Sequence, residues 1–270
     1  MRKGYVDTRD GQIHYCFCDG AQGKPIIFFH QTASSSQSFE KLMGLLEKEY
    51  PVYAMDTPGF GQSFFPPELP STTYYGSILL EAMGNLGIGS CHLFGHHTGA
   101  AIAAEMAARA PDKIESLMMV GPLWVSPEHR RQRLEKVLDP MVIKPDGSHL
   151  MKVWERVVRL DPDHPLDICH REAVNTLRAG ERWHEGYLAV YNQDSYAIYD
   201  KIRCPMLFLC GTNDPLFLVF KAACEAFPEA KNAVLTDCGS YAIENCAERI
   251  AAEIRNFLNG LKGISEAQES

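Results

Sequence analysis

The sequence predicts an α/β fold: a doubly wound, mostly parallel β-sheet with a helical cap inserted into it. Three observations lead there. Short apolar runs alternate with helix-period segments along most of the chain, the rhythm of parallel strands joined by crossover helices. One apolar run, Cys91–Phe94, passes through a glycine-bracketed turn, Gly95–Gly99, directly into an alanine-rich segment. Residues 123–200 then break the rhythm, being charged, largely helical and without strand-like runs. A stretch of that length between two sheet strands must carry structure of its own, because long unstructured loops are uncommon in compact domains.

The elements follow in order. Tyr5–Thr8 and Gln12–Cys18 flank Asp10-Gly11, a hairpin turn signal. Pro25–His30 is continuously apolar up to its final histidine, as expected of a strand covered on both faces. A helix over Ser38–Tyr50 places Phe39, Leu42, Met43 and Leu46 on one face. Val52–Met55 is the next strand, and Ser71 or Thr72 caps a helix running to Leu86. Then come the Cys91 strand, a helix over Ala100–Ala110, and the strand Ile114–Val120. Cap helices are predicted over Pro127–Leu138, Ser148–Leu160, Leu166–Ala179 and Glu181–Ser195. Pro205–Cys210 and Ala233–Thr236 complete the sheet, and Ile243–Leu258 is a closing amphipathic helix. The core therefore spans 1–122 and 201–262, the cap 123–200, and a flexible tail 263–270.

Composition narrows the classes. The chain has 270 residues, 46% of them hydrophobic, enough for one large domain with a sizeable core. A net charge of −8 without a basic block argues against nucleic acid or an anionic membrane as partner. The start reads as a polar hairpin rather than a signal core, and no apolar run is long enough to span a bilayer. Nine cysteines are irregularly spaced, and Cys16, Cys18, Cys91 and Cys210 sit in strand-like runs. They read as reduced, buried thiols of a cytoplasmic protein, and their spacing gives no metal site.

Five marks, taken together, resemble the α/β-hydrolase superfamily in its capped, single-domain branch, over about Tyr5–Leu258. The first apolar strand ends in His30, where that family has its His-Gly oxyanion segment. Asp56–Ser63 looks like its Asp-x-Pro-Gly-x-Gly-x-Ser turn. Gly95-His96-His97-Thr98-Gly99 occupies the nucleophile elbow, Gly-x-Ser-x-Gly, whose strained turn holds the attacking side chain above the sheet. Gly211–Pro215 matches the segment that supplies the acid, and Cys238–Tyr241 stands where the family has Gly-Gly-His-Phe.

The departures decide the chemistry. The resemblance assigns the triad positions to His97, Asp214 and Ser240, so serine and histidine have traded places. It assigns the oxyanion-hole donors to the backbone N–H groups of Thr32 and Thr98. Gln31 stands where the family has glycine and adds an amide that donates and accepts. A hydrogen-bonded link His97–Ser240–Asp214 would leave a neutral His97 as general base, and an unperturbed imidazole titrates near ~6.5. In the cap, Trp154, Trp183 and Tyr187 recur at helical spacing and are candidates to contact substrate, while His129–Arg133 reads as a solvated helix face. The reading is an enzyme without metal or organic cofactor, hydrolysing a small, mostly apolar ester, lactone or carbonyl compound. Two alternatives stand beside it: a lyase, decarboxylase or cyclase using His97 as acid/base, and a ligand-binding protein without turnover. Monomer and homodimer are both open.

Overall fold

The computed structural model describes residues 1–136, 140–161 and 165–268, with side chains described to residue 263. Its strands are β1 (Arg2–Thr8), β2 (Gly11–Cys18), β3 (Ile26–Phe29), β4 (Val52–Met55), β5 (Cys91–His96), β6 (Ile114–Val120), β7 (Met206–Gly211) and β8 (Lys231–Leu235). They form one sheet in the order β1-β2-β4-β3-β5-β6-β7-β8. β1 and β2 make the hairpin foreseen at Asp10-Gly11, in the register Arg2↔Phe17 to Thr8↔Gly11. β2 also runs antiparallel to β4, and from β4 to β8 every neighbouring pair is parallel. β4 lies on one side of β3 and β5 on the other, so the winding reverses beside β5. Open α/β sheets bind ligands outside the strand carboxyl ends at such a reversal.

Parallel strands buried on both faces need no polar alternation, and β3 has none: all four side chains are buried. Its pleat sends Ile27 and Phe29 into one apolar cluster and Ile26 and Phe28 into the other. Leu117 and Met119 of β6 divide from Met118 and Val120 in the same way. Phe28, Phe39 and Phe94 meet with ring centroids 5.2–6.1 Å apart. Each such ring, fully buried, contributes about 1.5–3 kcal/mol.

Of the first helices, α1 (Glu40–Leu46) packs on one face of the sheet and α2 (Thr72–Asn85) and α3 (Thr98–Arg109) on the other. Ser71 caps α2 through its side chain, which accepts from the Tyr74 N–H at 3.1 Å. The inserted stretch holds α4 (Pro127–Glu135), α5 (Ser148–Leu160), α6 (Leu166–Ala179), α7 (Glu185–Asn192) and α8 (Ser195–Tyr199). α5 and α6 occupy the residues their periodicity predicts, and the foreseen helix end at Leu138 lies outside the described residues. The segment foreseen as one helix over Glu181–Ser195 divides at Gln193, which takes extended backbone. Last come α9 (Phe217–Ala226), α10 (Ala242–Asn245) and α11 (Ala247–Gln268). The closing helix is thus split at Cys246 and runs beyond Leu258.

One expectation about the cysteines is corrected. The thiols are not all free: Cys238 and Cys246 form a disulfide, with Cα atoms 6.7 Å apart. The turn through α10 folds the chain back on itself over a separation of 8 residues, a proximity that spacing alone does not reveal. The other cysteines are free. Tyr241 holds the N-cap position of α10. Among the described residues, no helix is long and apolar enough to cross a membrane.

Candidate active site

His97 stands at the junction of β5 and α3 with φ 49° and ψ −112°. A non-glycine residue held there costs on the order of 1–3 kcal/mol, and such strain gathers where a side chain must be aimed. The glycines of the turn are required by close approach. A Cβ on Gly95 would overlap the backbone of Gly99 and Ala100, and one on Gly99 would overlap the backbone of Phe29 and His30. The turn is therefore wedged between strand and helix, and the His97 ring is pushed up into a cavity. Gly121, just after β6, makes room for the ring: a Cβ there would collide with His97 Cδ2 and Nε2. The sequence reading missed Gly121 because nothing local marks it.

The ring meets Asp214 directly. His97 Nε2 lies 2.7 Å from Asp214 Oδ2. Asp214 follows β7, and its Oδ1 accepts from the Leu216 N–H at 2.7 Å. Burial alone would raise this carboxyl, but the His97 ring and the Leu216 N–H outweigh it and hold the group below its ordinary value. Asp214 is then an acceptor only, so Nε2 carries the proton of the pair. The foreseen three-membered link is corrected: Ser240 does not stand between them. An imidazole set on the elbow reaches the acid, which a serine there would meet only through an intervening base. Ser240 is 2% exposed and borders the cavity, and its Oγ has no partner among the described residues.

The oxyanion segment also differs from expectation. The Thr32 N–H does not face open space; it donates to Thr98 Oγ1 at 2.7 Å, and Thr32 Oγ1 approaches the same oxygen at 3.0 Å. Thr98 borders the cavity and Thr32 does not. With both its lone pairs engaged, the Thr98 hydroxyl turns its own hydrogen elsewhere. The Thr98 N–H begins α3, where backbone donors lack intrahelical partners. Gln31 borders the cavity, and its carbonyl accepts from His30 Nδ1 and the Ser34 N–H, both at 2.8 Å. His30 is structural: its Nε2 accepts from the Thr57 N–H at 3.0 Å, and burial keeps the ring uncharged. Asp56 ties the neighbouring turn by accepting from the N–H groups of Ser36 and Gln62.

The cap closes the cavity, whose volume is about 300 Å³. Tyr187 of α7 borders it, and its hydroxyl donates to the Thr32 carbonyl at 2.7 Å. Gly186 lets α7 come this close, since a Cβ there would overlap Thr32 Oγ1. The two tryptophans do not border this cavity. Trp154 packs with Val153, Val157, Cys169, Ala173 and Tyr241. Trp183 is 6% exposed and packs with Ala33, Phe60 and Ala179. Their helical spacing served packing; Arg133, expected on a solvated helix face, borders the cavity, as do Lys136 and Arg156, which nothing in the sequence singled out.

His96 is fully buried behind His97, ring centroids 4.4 Å apart, and burial holds its ring neutral. Among the described residues His96, His97 and Asp214 form a group able to hold a metal ion, with ligand atoms within 4.8 Å of one another. Sequence spacing could not show it, because Asp214 comes from the far half of the chain. The 2.7 Å contact within the group has the length of a hydrogen bond.

Known proteins share this architecture. Residues 24–142 match the family profile described as alpha/beta hydrolase fold. A 2-hydroxy-6-oxononadienedioate/2-hydroxy-6-oxononatrienedioate hydrolase of a Pseudomonas species is 23% identical over 94% of this chain and 95% of its own length. The dihydrolipoyllysine-residue acetyltransferase component of the acetoin cleaving system of Cupriavidus necator is 30% identical over 38% of this chain, and the match spans only 28% of that component. In three dimensions the enol-lactonase of Burkholderia xenovorans superposes with a TM-score of 0.79 at 17% identity, over 95% of this chain and 100% of the other, a likeness of fold. The reversal of the sheet beside β5, the strained turn above it and these matches lead to one assignment: the chain has the α/β-hydrolase fold.

Proposed function

We propose that this protein hydrolyses a small ester, lactone or activated carbonyl compound with water as the nucleophile and His97 as the general base. The observation that carries the reading is the 2.7 Å contact of His97 Nε2 with Asp214 Oδ2, which leaves Nδ1 free on a ring that borders the cavity. Asp214 fixes the tautomer and stabilises the imidazolium that forms. Nδ1 takes a proton from water as the water oxygen attacks the carbonyl carbon. The developing oxyanion is met by the Thr98 N–H and the Thr98 hydroxyl, the latter polarised by the Thr32 N–H. When the carbon–oxygen bond of the ester breaks, the proton on Nδ1 passes to the leaving alkoxide. Asp214 and the Thr98 N–H thus take the roles the resemblance implies, while His97 acts as base rather than as the elbow's attacking group and Thr32 acts through its neighbour. Ser240 and Gln31 border the reacting space.

Relatives named as hydrolases of small molecules support the reaction class. The engagement of the Thr32 N–H by Thr98 favours a second reading, acid/base chemistry at His97 without a strong oxyanion hole, as in a lyase or decarboxylase. A panel of activated aryl esters and lactones, assayed with wild type and His97→Gln, tests the proposal. Turnover by wild type is expected, with a fall of roughly 10²–10⁴-fold in the variant at unchanged thermal midpoint. An inert wild type, or a fully active variant, overturns it.

A further inference from the structure

The chain as a whole is acidic, with 34 Asp and Glu against 26 Lys and Arg. The cavity over His97 reverses that balance. Arg133, Lys136 and Arg156 border it, and among the described residues no carboxylate does. Asp214 lies beneath, engaged by His97. A cleft lined by one sign of charge, walled by apolar surface, focuses its field on whatever enters.

Arg156 is the ordered member of the set. Its guanidinium carbon lies 4.1 Å over the Trp183 ring. One N–H donates to the Tyr187 hydroxyl at 3.2 Å, and that hydroxyl donates onward to the Thr32 carbonyl at 2.7 Å. The guanidinium is thus stacked on one face, anchored at one edge, and registered against the segment that faces the reacting centre. Among the described residues no carboxylate pairs with it. Arginine stacked on an aromatic ring with its fork free is suited to gripping a carboxylate by two parallel hydrogen bonds. The buried Trp183 foreseen as a substrate contact has this indirect part: it is the platform for the arginine. Arg133 and Lys136, exposed at the end of α4, add charge at the rim without comparable fixing.

We propose that the substrate carries a carboxylate in addition to the group that reacts, and that Arg156 binds this carboxylate and sets the specificity. The inference rests on the hydrolytic reading for its placement of the reacting group, and it departs from the expectation of a mostly apolar substrate. A half-ester of a short dicarboxylic acid is the simplest compound of this class: its free carboxylate would lie on Arg156 while its ester carbonyl lies over His97.

Mono(4-nitrophenyl) glutarate and 4-nitrophenyl valerate, matched in chain length and differing in charge, are the probes. Wild type is expected to favour the anionic probe in kcat/KM, with the preference shrinking as salt is raised. Arg156→Gln should cut the ratio between the probes by on the order of 10- to 100-fold, and Arg156→Lys, which keeps the charge without the fork, should fall between. Taking the ratio removes any general loss of activity, and the salt dependence of wild type stands if a variant fails to fold. A second measurement is independent of turnover: calorimetric binding of glutarate against dimethyl glutarate. Glutarate binding that depends on Arg156 in a protein that cleaves neither ester upholds the carboxylate site and overturns the hydrolytic reading. Cleavage of both esters without charge preference, or an unchanged ratio in Arg156→Gln, overturns the carboxylate site and leaves the hydrolytic reading intact.

Discussion

Gly121→Ala probes the dyad from behind without touching a reacting atom. Gly121 has φ +65°, where an alanine costs about 1–2 kcal/mol of backbone strain. Its new Cβ would fall 2.8 Å from His97 Nε2 and nearer still to Cδ2, with Leu216 Cδ1 at 3.2 Å on the other side. Ordinary contact begins at 3.4 Å, so the ring has to retreat by about 1 Å. The His97–Asp214 bond is already 2.7 Å and weakens past about 3.2 Å, which leaves roughly half the room required. Asp214 cannot follow freely, because its other oxygen is held by the Leu216 N–H. Overpacking adds about 1–3 kcal/mol to the strain, for a total destabilisation of roughly 2–5 kcal/mol. A displacement of about 1 Å at a reacting group costs on the order of 10²-fold in rate. Gly87→Ala is the control: φ is +74° there too, but its Cβ would meet nothing within 4 Å, so the strain is alike and the dyad is untouched. The assay is kcat/KM on the fastest ester, with thermal unfolding and the His97 ring resonances read on the same samples. A Gly121→Ala protein as active as Gly87→Ala, with His97 resonances unmoved, would refute the reasoning.

Three further outcomes are expected. Serine-directed fluorophosphonates should leave the elbow unlabelled, since His97 holds the serine's place; rapid stoichiometric labelling of Ser240, read by mass spectrometry, would show a live serine nucleophile instead. The double change His97→Ser with Ser240→His should cleave an activated aryl ester about 10²-fold or more faster than His97→Ser alone, because it rebuilds serine, base and Asp214 in their usual order, and a folded double mutant no faster than that single mutant would contradict the alignment of the three positions. Glu244 shares Arg171 with Glu172, its carbonyl accepts from Lys41, and burial pushes its carboxyl up from 4.5 to about 7. The folded chain therefore holds a proton there that the unfolded chain has released, stability falls as pH rises through that window, and Glu244→Gln should flatten the fall by on the order of 1 kcal/mol in urea titrations.

Much of this arrangement was legible in the residues. Strands buried on both faces announce themselves as unbroken apolar runs, and Pro25–Phe29 and Pro205–Cys210 did so. The elbow was legible because close packing demands glycine at 95 and 99 and leaves position 97 as the side chain on display. What remained hidden depends on contacts between distant segments. Whether His97 reaches Asp214 directly or through Ser240 is a matter of a few ångströms between β5 and the turn after β7. That the Thr98 hydroxyl would take the Thr32 N–H follows from the placing of two threonines 66 residues apart. Trp154 and Trp183 share helical spacing with Tyr187, yet only Tyr187 turns to the cavity, since periodicity gives a face and not what the face meets. Arg156 is one of many charges in the cap, and only its stacking on Trp183 sets it apart.

The most direct test of the His97 reading is the mass of the intact protein during turnover. An activated aryl ester is mixed with excess over enzyme, quenched in acid within the first turnovers, and the protein weighed. Direct attack by water activated at His97 leaves the protein at its unmodified mass at every time point, with no burst of aryl alcohol. An acyl adduct that forms and decays at the rate of turnover, on His97, Ser240 or any other side chain, would contradict it.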